Sequence, residues 1–336
     1  MNTQDRIETF AKLGDYLSAI DEAGFNTIVE NARNENSWFT KESITSAIHG
    51  LIKYLNKTDL ENWTSPYNLT TVKPKKVAVI MAGNIPLVGF HDFLSVLISG
   101  HDILIKLSSK DKVLLQHLIQ KLIEIEPAFD ARITFGELLL KNFDAIIATG
   151  SDNSARYFHY YFDKYPNIIR KNRTSCAVLN GSESNEALKT LGVDVFTYFG
   201  LGCRNVSKIY VPKNYDPTLL LQNWSSYEDI THHHKYHNNY DYQKSILLIN
   251  RSPFLDSGFV MLQENERLVS PISVVYYESY EDEDALALKL TEAKEKIQCI
   301  VGHATPASVP FGQAQSPALW DYADQIDTLK FLESLN

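Results

Sequence analysis

The stretch KVAVIMAGNIPLVGFHDFLSVLISGHDILIKL, residues 76–107, decides the fold. KVAVIM (76–81) is a short apolar run rich in β-branched residues, the texture of a strand buried on both faces in a parallel sheet. AGNIP (82–86) breaks it with a glycine, an asparagine and a proline. LVGFHDFLSVLISG (87–100) then reads as a helix closing on Gly100, and DILIKL (102–107) as a second buried strand. Strand, helix and strand in 32 residues make a βαβ unit, which forces a parallel pairing.

The same alternation continues. SSKDKVLLQHLIQKLIEIEP (108–127) reads as an amphipathic helix stopped by Pro127. ARITF and FDAIIATG read as strands, SDNSARYFHYYFDKYP as a helix, and TSCAVLNG as a further strand. An α/β layer is therefore expected from about residue 74 to 181. Upstream, Ile7, Phe10, Leu13, Leu17 and Ile20 fall at helical spacing, as do Ile44, Ile48, Leu51 and Leu55. Downstream, KSILLIN (244–250) and SPISVVYYES (270–279) read as strands, and the acidic EDEDALALKL as the start of a helix, with a dipole that favours those acids. The expected division is a helical N-terminal segment (1–70) packing on a Rossmann-like cofactor domain (71–182), a second α/β domain (183–305) and a C-terminal segment (306–336).

Composition excludes several classes. A formal charge of −9 over 336 residues argues against nucleic acid or an anionic membrane as the main partner. No apolar run approaches the ~20 residues needed to cross a bilayer. The start, MNTQDRIETFAKLGDYL, lacks the basic and apolar regions of a signal peptide, so a cytoplasmic protein is expected. Three unevenly spaced cysteines give neither a disulfide framework nor a CxxC pair. THHHKYHNNYDY holds four histidines, yet consecutive histidines cannot all face one ion and no HExxH spacing accompanies them, so no metal site is assigned. The GxGxxG, GxxxxGK[ST] and GxSxG patterns are missing. Tyr157, Phe158, Tyr160, Tyr161 and Phe162 suit either a channel lining or a core.

Ligands of open parallel sheets lie at the carboxyl ends of the strands, so the turns AGNIP, KLSSK and ATGSD are the ones to inspect. Gly150 and Ser151 open a helix after a strand, where backbone N–H groups meet phosphates, although such turns also use Gly and Ser for purely structural reasons. Lys106 ends a strand, where its ammonium either reaches a ribose or phosphate or is simply solvated. Asn84 serves either as a turn former or as a donor to a developing oxyanion. Cys176 and Cys299 lie in apolar runs, but Cys203 sits in FGLGCRN and is either a reactive thiol, with Gly200 and Gly202 permitting close approach of another molecule and Arg204 suiting a thiolate, or a partly buried spectator in a tight turn.

Taken in order, VAVIMAGNIPLVGF, LISGHDILIKLSS, DAIIATGSD and FGLGC resemble the cofactor domain and nucleophilic cysteine of the aldehyde dehydrogenase superfamily. GLGCRNVSKIYVP, KYHNNYDYQKSILLIN, SPISVVYYESY and GQAQSPALWDYADQIDTLKFL resemble, more closely, the long-chain acyl-CoA and acyl-protein thioester reductases, the fatty-acid reductase group of bacterial luminescence. The resemblance covers about residues 75–335. It implies an aldehyde-dehydrogenase-like fold, Cys203 as the acyl-accepting nucleophile and Asn84 as the oxyanion-binding amide. It also implies Lys106 at the adenosine ribose, with Ser108 and Ser109 beside it, and Gly150 with Ser151 at the phosphates. The implied partner is an acyl-CoA or an acylated carrier or synthetase protein. A homo-oligomer is compatible with the family, and its oligomerisation elements are expected to be reduced in so short a chain.

Three departures from the superfamily pattern sharpen this. The glutamate that activates water in aldehyde-oxidising members falls in AVLNGSES, where Asn180 precedes Gly181 and Glu183 is displaced, so exchange with a thiol is favoured over hydrolysis. The Lys-Pro-Ser-Glu pattern becomes KLSS, and Ser109 with Lys110 removes the acid that would repel a 2′-phosphate. NADPH is thus preferred, with NADH the alternative. The glutamate expected to touch the nicotinamide ribose aligns with Arg267. The rival readings are an aldehyde oxidiser using Glu183 as base, a catalytically silent nucleotide-binding scaffold, and a thiol acyltransferase without redox chemistry.

Overall fold

In a computed structural model that describes residues 1–69, 73–136, 140–303 and 307–335, four helices open the chain. They are α1 (Thr3–Ala19), α2 (Glu22–Glu35), α3 (Lys41–Tyr54) and α4 (Lys57–Thr64). A reciprocal capping box starts α1: the Asp5 amide donates to Asn2 Oδ1 at 2.8 Å and the Asn2 amide to Asp5 Oδ2 at 2.9 Å. The βαβ unit follows as β1 (Lys76–Ile80), α5 (Phe90–Ser99) and β2 (Asp102–Lys106). Next come α6 (Val113–Ile125), β3 (Ile133–Phe135), β4 (Ala145–Thr149), α7 (Asp152–Phe162) and β5 (Asn167–Arg170). The five strands form one parallel sheet in the order β3-β2-β1-β4-β5.

The N-terminal helices share the core of this sheet. Phe10 of α1 meets Phe93 of α5 edge-on at 6.4 Å and Phe129 at 5.7 Å. The buried Arg6 guanidinium donates to Ile98 O at 2.8 Å, Met1 O at 2.9 Å and Leu69 O at 3.1 Å, tying the end of α5 to the two ends of the N-terminal helical segment. Burial lowers its pKa to about 10, with neighbouring Arg132 acting the same way and Asp5 opposing. Residues 1–172 and 317–336 make one compact unit, into which Leu319, Leu329 and Leu332 of the C-terminal segment are packed.

The second unit, Arg173–Ser316, contains β6 (Thr174–Val178), α8 (Asn185–Phe196), β7 (Val206–Pro212), α9 (Thr218–Asn223) and α10 (His234–Ile249). It continues with β8 (Leu255–Asp256), β9 (Met261–Glu264), β10 (Val274–Tyr280), α11 (Glu283–Glu292) and β11 (Ile297–Val301). Its sheet has the order β11-β6-β7-β10-β9-β8 and is parallel except at the β8–β9 edge. The last helix, α12 (Thr328–Glu333), belongs to the first unit.

Three expectations change. The division falls at 172/173 and not at 182/183, because TSCAV pairs with β7 and β11 of the second sheet. The C-terminal segment is split: Val309 bridges to Val301 in the second unit, whereas α12 packs in the first. The other expected boundaries, at 70 and 305, lie outside the described residues. KSILLIN is the last turns of α10 and not a strand; Leu247 is buried while Leu248 and Ile249 are both exposed, which alternation across a sheet would not give. In α7, Phe158 and Phe162 join the core beneath β4, but Tyr157, Tyr160 and Tyr161 face solvent.

Candidate active site

The first sheet reverses its winding between β1 and β4, the switch point at which such sheets bind ligands. The candidates of the first unit gather at this carboxyl edge. Asn84 is exposed in the turn after β1. Lys106 closes β2 opposite Ile80, and its carbonyl accepts the Met81 amide at 3.1 Å. Ser108 and Ser109 follow it, and Gly150 and Ser151 follow β4. A Cβ on Gly83 would lie 2.4 Å from Ser108 Oγ and 3.3 Å from Asp111 Cβ, so glycine lets the β1 and β2 loops touch. A Cβ on Gly150 would meet Ser154 Cβ at 2.8 Å and Phe158 Cε2 at 2.9 Å, so this glycine serves the packing of α7. Ser151 is the N-cap of α7, accepting the Ser154 amide at 3.2 Å.

Cys203 lies in the second unit, on the turn that leads into β7. Buried Asn205 shapes that turn. Its Oδ1 accepts the Gly202 amide at 2.8 Å, and its Nδ2 donates to the carbonyls of Asp194 (3.1 Å), Val195 (3.2 Å) and Thr197 (2.7 Å). Ser175 Oγ donates to the Cys203 carbonyl at 3.1 Å. Just upstream, Tyr198 (φ 54°), Phe199 (φ 59°) and Gly200 (φ 76°) are all left-handed. Two side-chain-bearing residues in that region cost roughly 1–2 kcal/mol each, a strain of the kind held at functional sites by surrounding structure. Phe199 is braced by the His233 ring at 4.4 Å; His233 also accepts the Tyr236 amide to cap α10. Among the described residues no group of three or more His, Cys, Asp or Glu is placed to hold a metal ion. A cavity of about 30 Å³ lined by Phe199, Gly200, Tyr236 and Ser270 has room for about two waters and is too small for an acyl chain.

The three cysteines differ sharply. Cys176 is fully buried, and burial pushes its thiol up to about 12. Cys299 is raised by burial, opposed by a hydrogen bond with Ser175 and by Arg204. Cys203 is the one cysteine that is not buried. Arg204, read from the sequence as a partner for the Cys203 thiolate, hydrogen-bonds Cys299. Glu183 accepts the Asn180 amide at 2.7 Å and the Gly181 amide at 3.0 Å, so its carboxylate closes its own turn. Fully buried Asp194 accepts the Gly312 and Ala314 amides at 2.6 and 2.9 Å; burial raises its pKa to about 6 against the pull of those two bonds.

The sequence pattern alone does not single out Asn205, Asp194, Ser175 or Asp111. A short polar residue two places after a glycine-flanked cysteine was the available signal for Asn205, since asparagine bonds backbone locally. The other three act through partners remote in sequence.

A family model described as acyl-CoA reductase (LuxC) matches residues 12–219, a span that contains every candidate site residue above. The long-chain acyl-protein thioester reductase of Aliivibrio fischeri is 25% identical over 203 residues, a match taking in 54% of this chain and 42% of that protein. The chain thus spans less than half the length of that relative. Aldehyde dehydrogenase 21 from Physcomitrella patens, solved with the reaction product succinate, matches with a TM-score of 0.69 at 12% identity, over 100% of this chain and 84% of that one. The NAD+ complex of a Bacillus cereus aldehyde dehydrogenase matches at 0.62 and 12%, over 90% and 72%. The fold is that of the aldehyde dehydrogenases, and the chain belongs to the LuxC family of acyl-CoA reductases.

Proposed function

We propose that the protein reduces a fatty acyl thioester, carried by CoA or by a protein, to the aldehyde through an acyl-cysteine at Cys203, with NADPH as reductant. The observation that carries this reading is the contrast among the cysteines: two thiols are buried and one lies partly exposed on a strained, internally clamped turn.

The thiolate of Cys203 attacks the thioester carbonyl. The side-chain amide of Asn84 and the backbone N–H of Cys203 hold the oxyanion, and the donor's thiolate leaves as the carbonyl re-forms on Cys203. The residues at the edge of the first sheet suit a dinucleotide: a lysine ammonium, two serine hydroxyls and the amide end of an 11-residue helix. Lys106 and Ser108 would hold the ribose, and Gly150 and Ser151 the phosphates. Ser109 and Lys110 are exposed, and the neighbouring carboxylate of Asp111 is turned inward to the Leu87 amide, which favours a 2′-phosphate. When bound, the reduced nicotinamide supplies a hydride. Collapse of the Cys203 thiohemiacetal then releases aldehyde and returns the thiolate. With Glu183 tied to its own turn, no carboxylate is assigned to activate water, and oxidation of aldehydes to acids is disfavoured.

The test is Cys203→Ala with a long-chain acyl-CoA and either NADPH or NADH. Loss of all thioester-dependent cofactor oxidation, with NADPH the better substrate of the wild type, is expected. A Cys203→Ala enzyme that reduces the thioester at the wild-type rate overturns the assignment.

A further inference from the structure

Asp111 is a buried acid at the edge of the first sheet where the candidate residues gather, and the mechanism above uses it only as a charge turned away from the 2′-phosphate. It lies 6% exposed in the loop between β2 and α6. Its Oδ2 accepts the Leu87 amide at 2.7 Å, and its Oδ1 is buried without a hydrogen-bond partner. Leu87 holds a left-handed conformation at φ 58°, which a leucine does not adopt without a restraint. Leu87 and Asn84 belong to the same short turn, whose other end is pinned where Gly83 presses on Ser108 and Asp111.

The acid is itself fixed from α2. Glu35 Oε2 accepts the Lys112 and Val113 amides at 2.7 and 3.1 Å, which caps α6 from another helix, and Asn36 Nδ2 donates to Lys110 O at 3.3 Å. Residues 110–113 are therefore gripped by α2 on one side and grip the turn after β1 on the other. Burial raises the Asp111 pKa to about 7, opposed by the Leu87 bond and reinforced by Glu35. A carboxyl oxygen accepts the Leu87 amide in either protonation state, so the hold survives near neutrality.

We propose that Asp111 is a positioning residue: by holding the Leu87 amide it fixes the turn that presents Asn84, and through it the N-terminal helix α2 supports the reaction. This rests on the oxyanion role given to Asn84. Misplacing a reacting group by about 1 Å costs on the order of 100-fold.

The experiment compares Asp111→Ala, Asp111→Asn, Asn84→Ala and the Asp111→Ala/Asn84→Ala double variant, by single-turnover reduction of an acyl-CoA with NADPH and by amide-exchange mass spectrometry of peptides over 83–90. Asp111→Ala is expected to slow the reaction about 10- to 100-fold and to accelerate exchange in that turn. Asp111→Asn, which keeps an acceptor for Leu87, should restore both. The double variant should be no slower than Asn84→Ala alone, because groups acting as a unit are not additive. Should Asp111→Ala fail to fold, Asp111→Ser makes the same comparison, its hydroxyl being too short to reach Leu87. A wild-type rate in the Ala or Ser variant overturns the proposal, as does a deficit that multiplies in the Asn84→Ala background. If Asn84→Ala is itself as fast as wild type, the oxyanion reading has failed, and unchanged exchange at 83–90 in Asp111→Ala would separately overturn the hold on the turn.

Discussion

Replacing Asn205 by alanine removes the central clamp of the cysteine turn. The side chain is 2% exposed and satisfies one amide and three carbonyls. Net hydrogen-bond contributions run at about 1 kcal/mol each, and a buried group left unpaired costs about 1–3 kcal/mol. Some of the orphaned carbonyls regain water as the turn relaxes. Relaxation also releases the roughly 2–4 kcal/mol of strain held at Tyr198 and Phe199. A loss of about 3–4 kcal/mol from the second unit is the reasonable centre. The released strain makes the cysteine turn the first part to move, so the kinetic effect should exceed the global one. The assay pairs urea unfolding with stopped-flow acylation by an acyl-CoA. Asn205→Ala should remain folded at low urea, acylate about 100-fold more slowly, and still be alkylated at Cys203 by iodoacetamide. Asn205→Asp should do no better, since a carboxylate keeps the bond to Gly202 but faces three carbonyls. Acylation at the wild-type rate with less than about 1 kcal/mol of stability lost would refute the clamp.

Two further outcomes follow from other parts of the chain. Glu183→Gln should lower stability by about 1 kcal/mol, because one of two turn amides loses a charged acceptor, and should leave thioester reduction unchanged within about threefold; a collapse of activity in kinetic assays would revive the aldehyde-oxidising reading. His101 is fully buried, with Nε2 2.9 Å from Leu332 O and Nδ1 accepting the Lys75 amide at 3.2 Å, so its ring is neutral. Burial above all lowers its pKa. The unfolded chain then takes up the proton first as pH falls through about 6.5, and stability declines below that value. Urea unfolding at pH 7.5 and 5.5 should show this loss in the wild type and a smaller one in His101→Gln; identical pH dependence would contradict it.

What the sequence discloses here follows from what is local. KVAVIM, DILIKL and FDAIIATG are legible because strands buried on both faces become continuous apolar runs between turn residues. The turns between them could be picked out by position; the glycines around Cys203 read as room for a close approach, whereas in the structure Gly200 serves a left-handed backbone at φ 76°. Sheet membership was not local: TSCAV has the same texture as the strands of the first sheet, and only pairing with β7 and β11 assigns it to the second. KSILLIN misleads because a four-residue apolar run has no readable period. The buried polar supports, Asp111 under Leu87 and Asn205 under the cysteine turn, are invisible for a related reason. Their meaning lies in backbone groups whose direction is set only once the fold exists, and Glu35 caps α6 from 77 residues away.

The account stands on the thiol of Cys203 accepting an acyl group. Peptide-mapping mass spectrometry of the wild-type protein, mixed with a long-chain acyl-CoA and quenched before reductant is added, measures this directly. The predicted result is one acyl mass on the peptide containing Cys203, discharged as aldehyde when NADPH is supplied. An adduct on Cys176 or Cys299 alone, or none while the protein still turns over thioester, would contradict it.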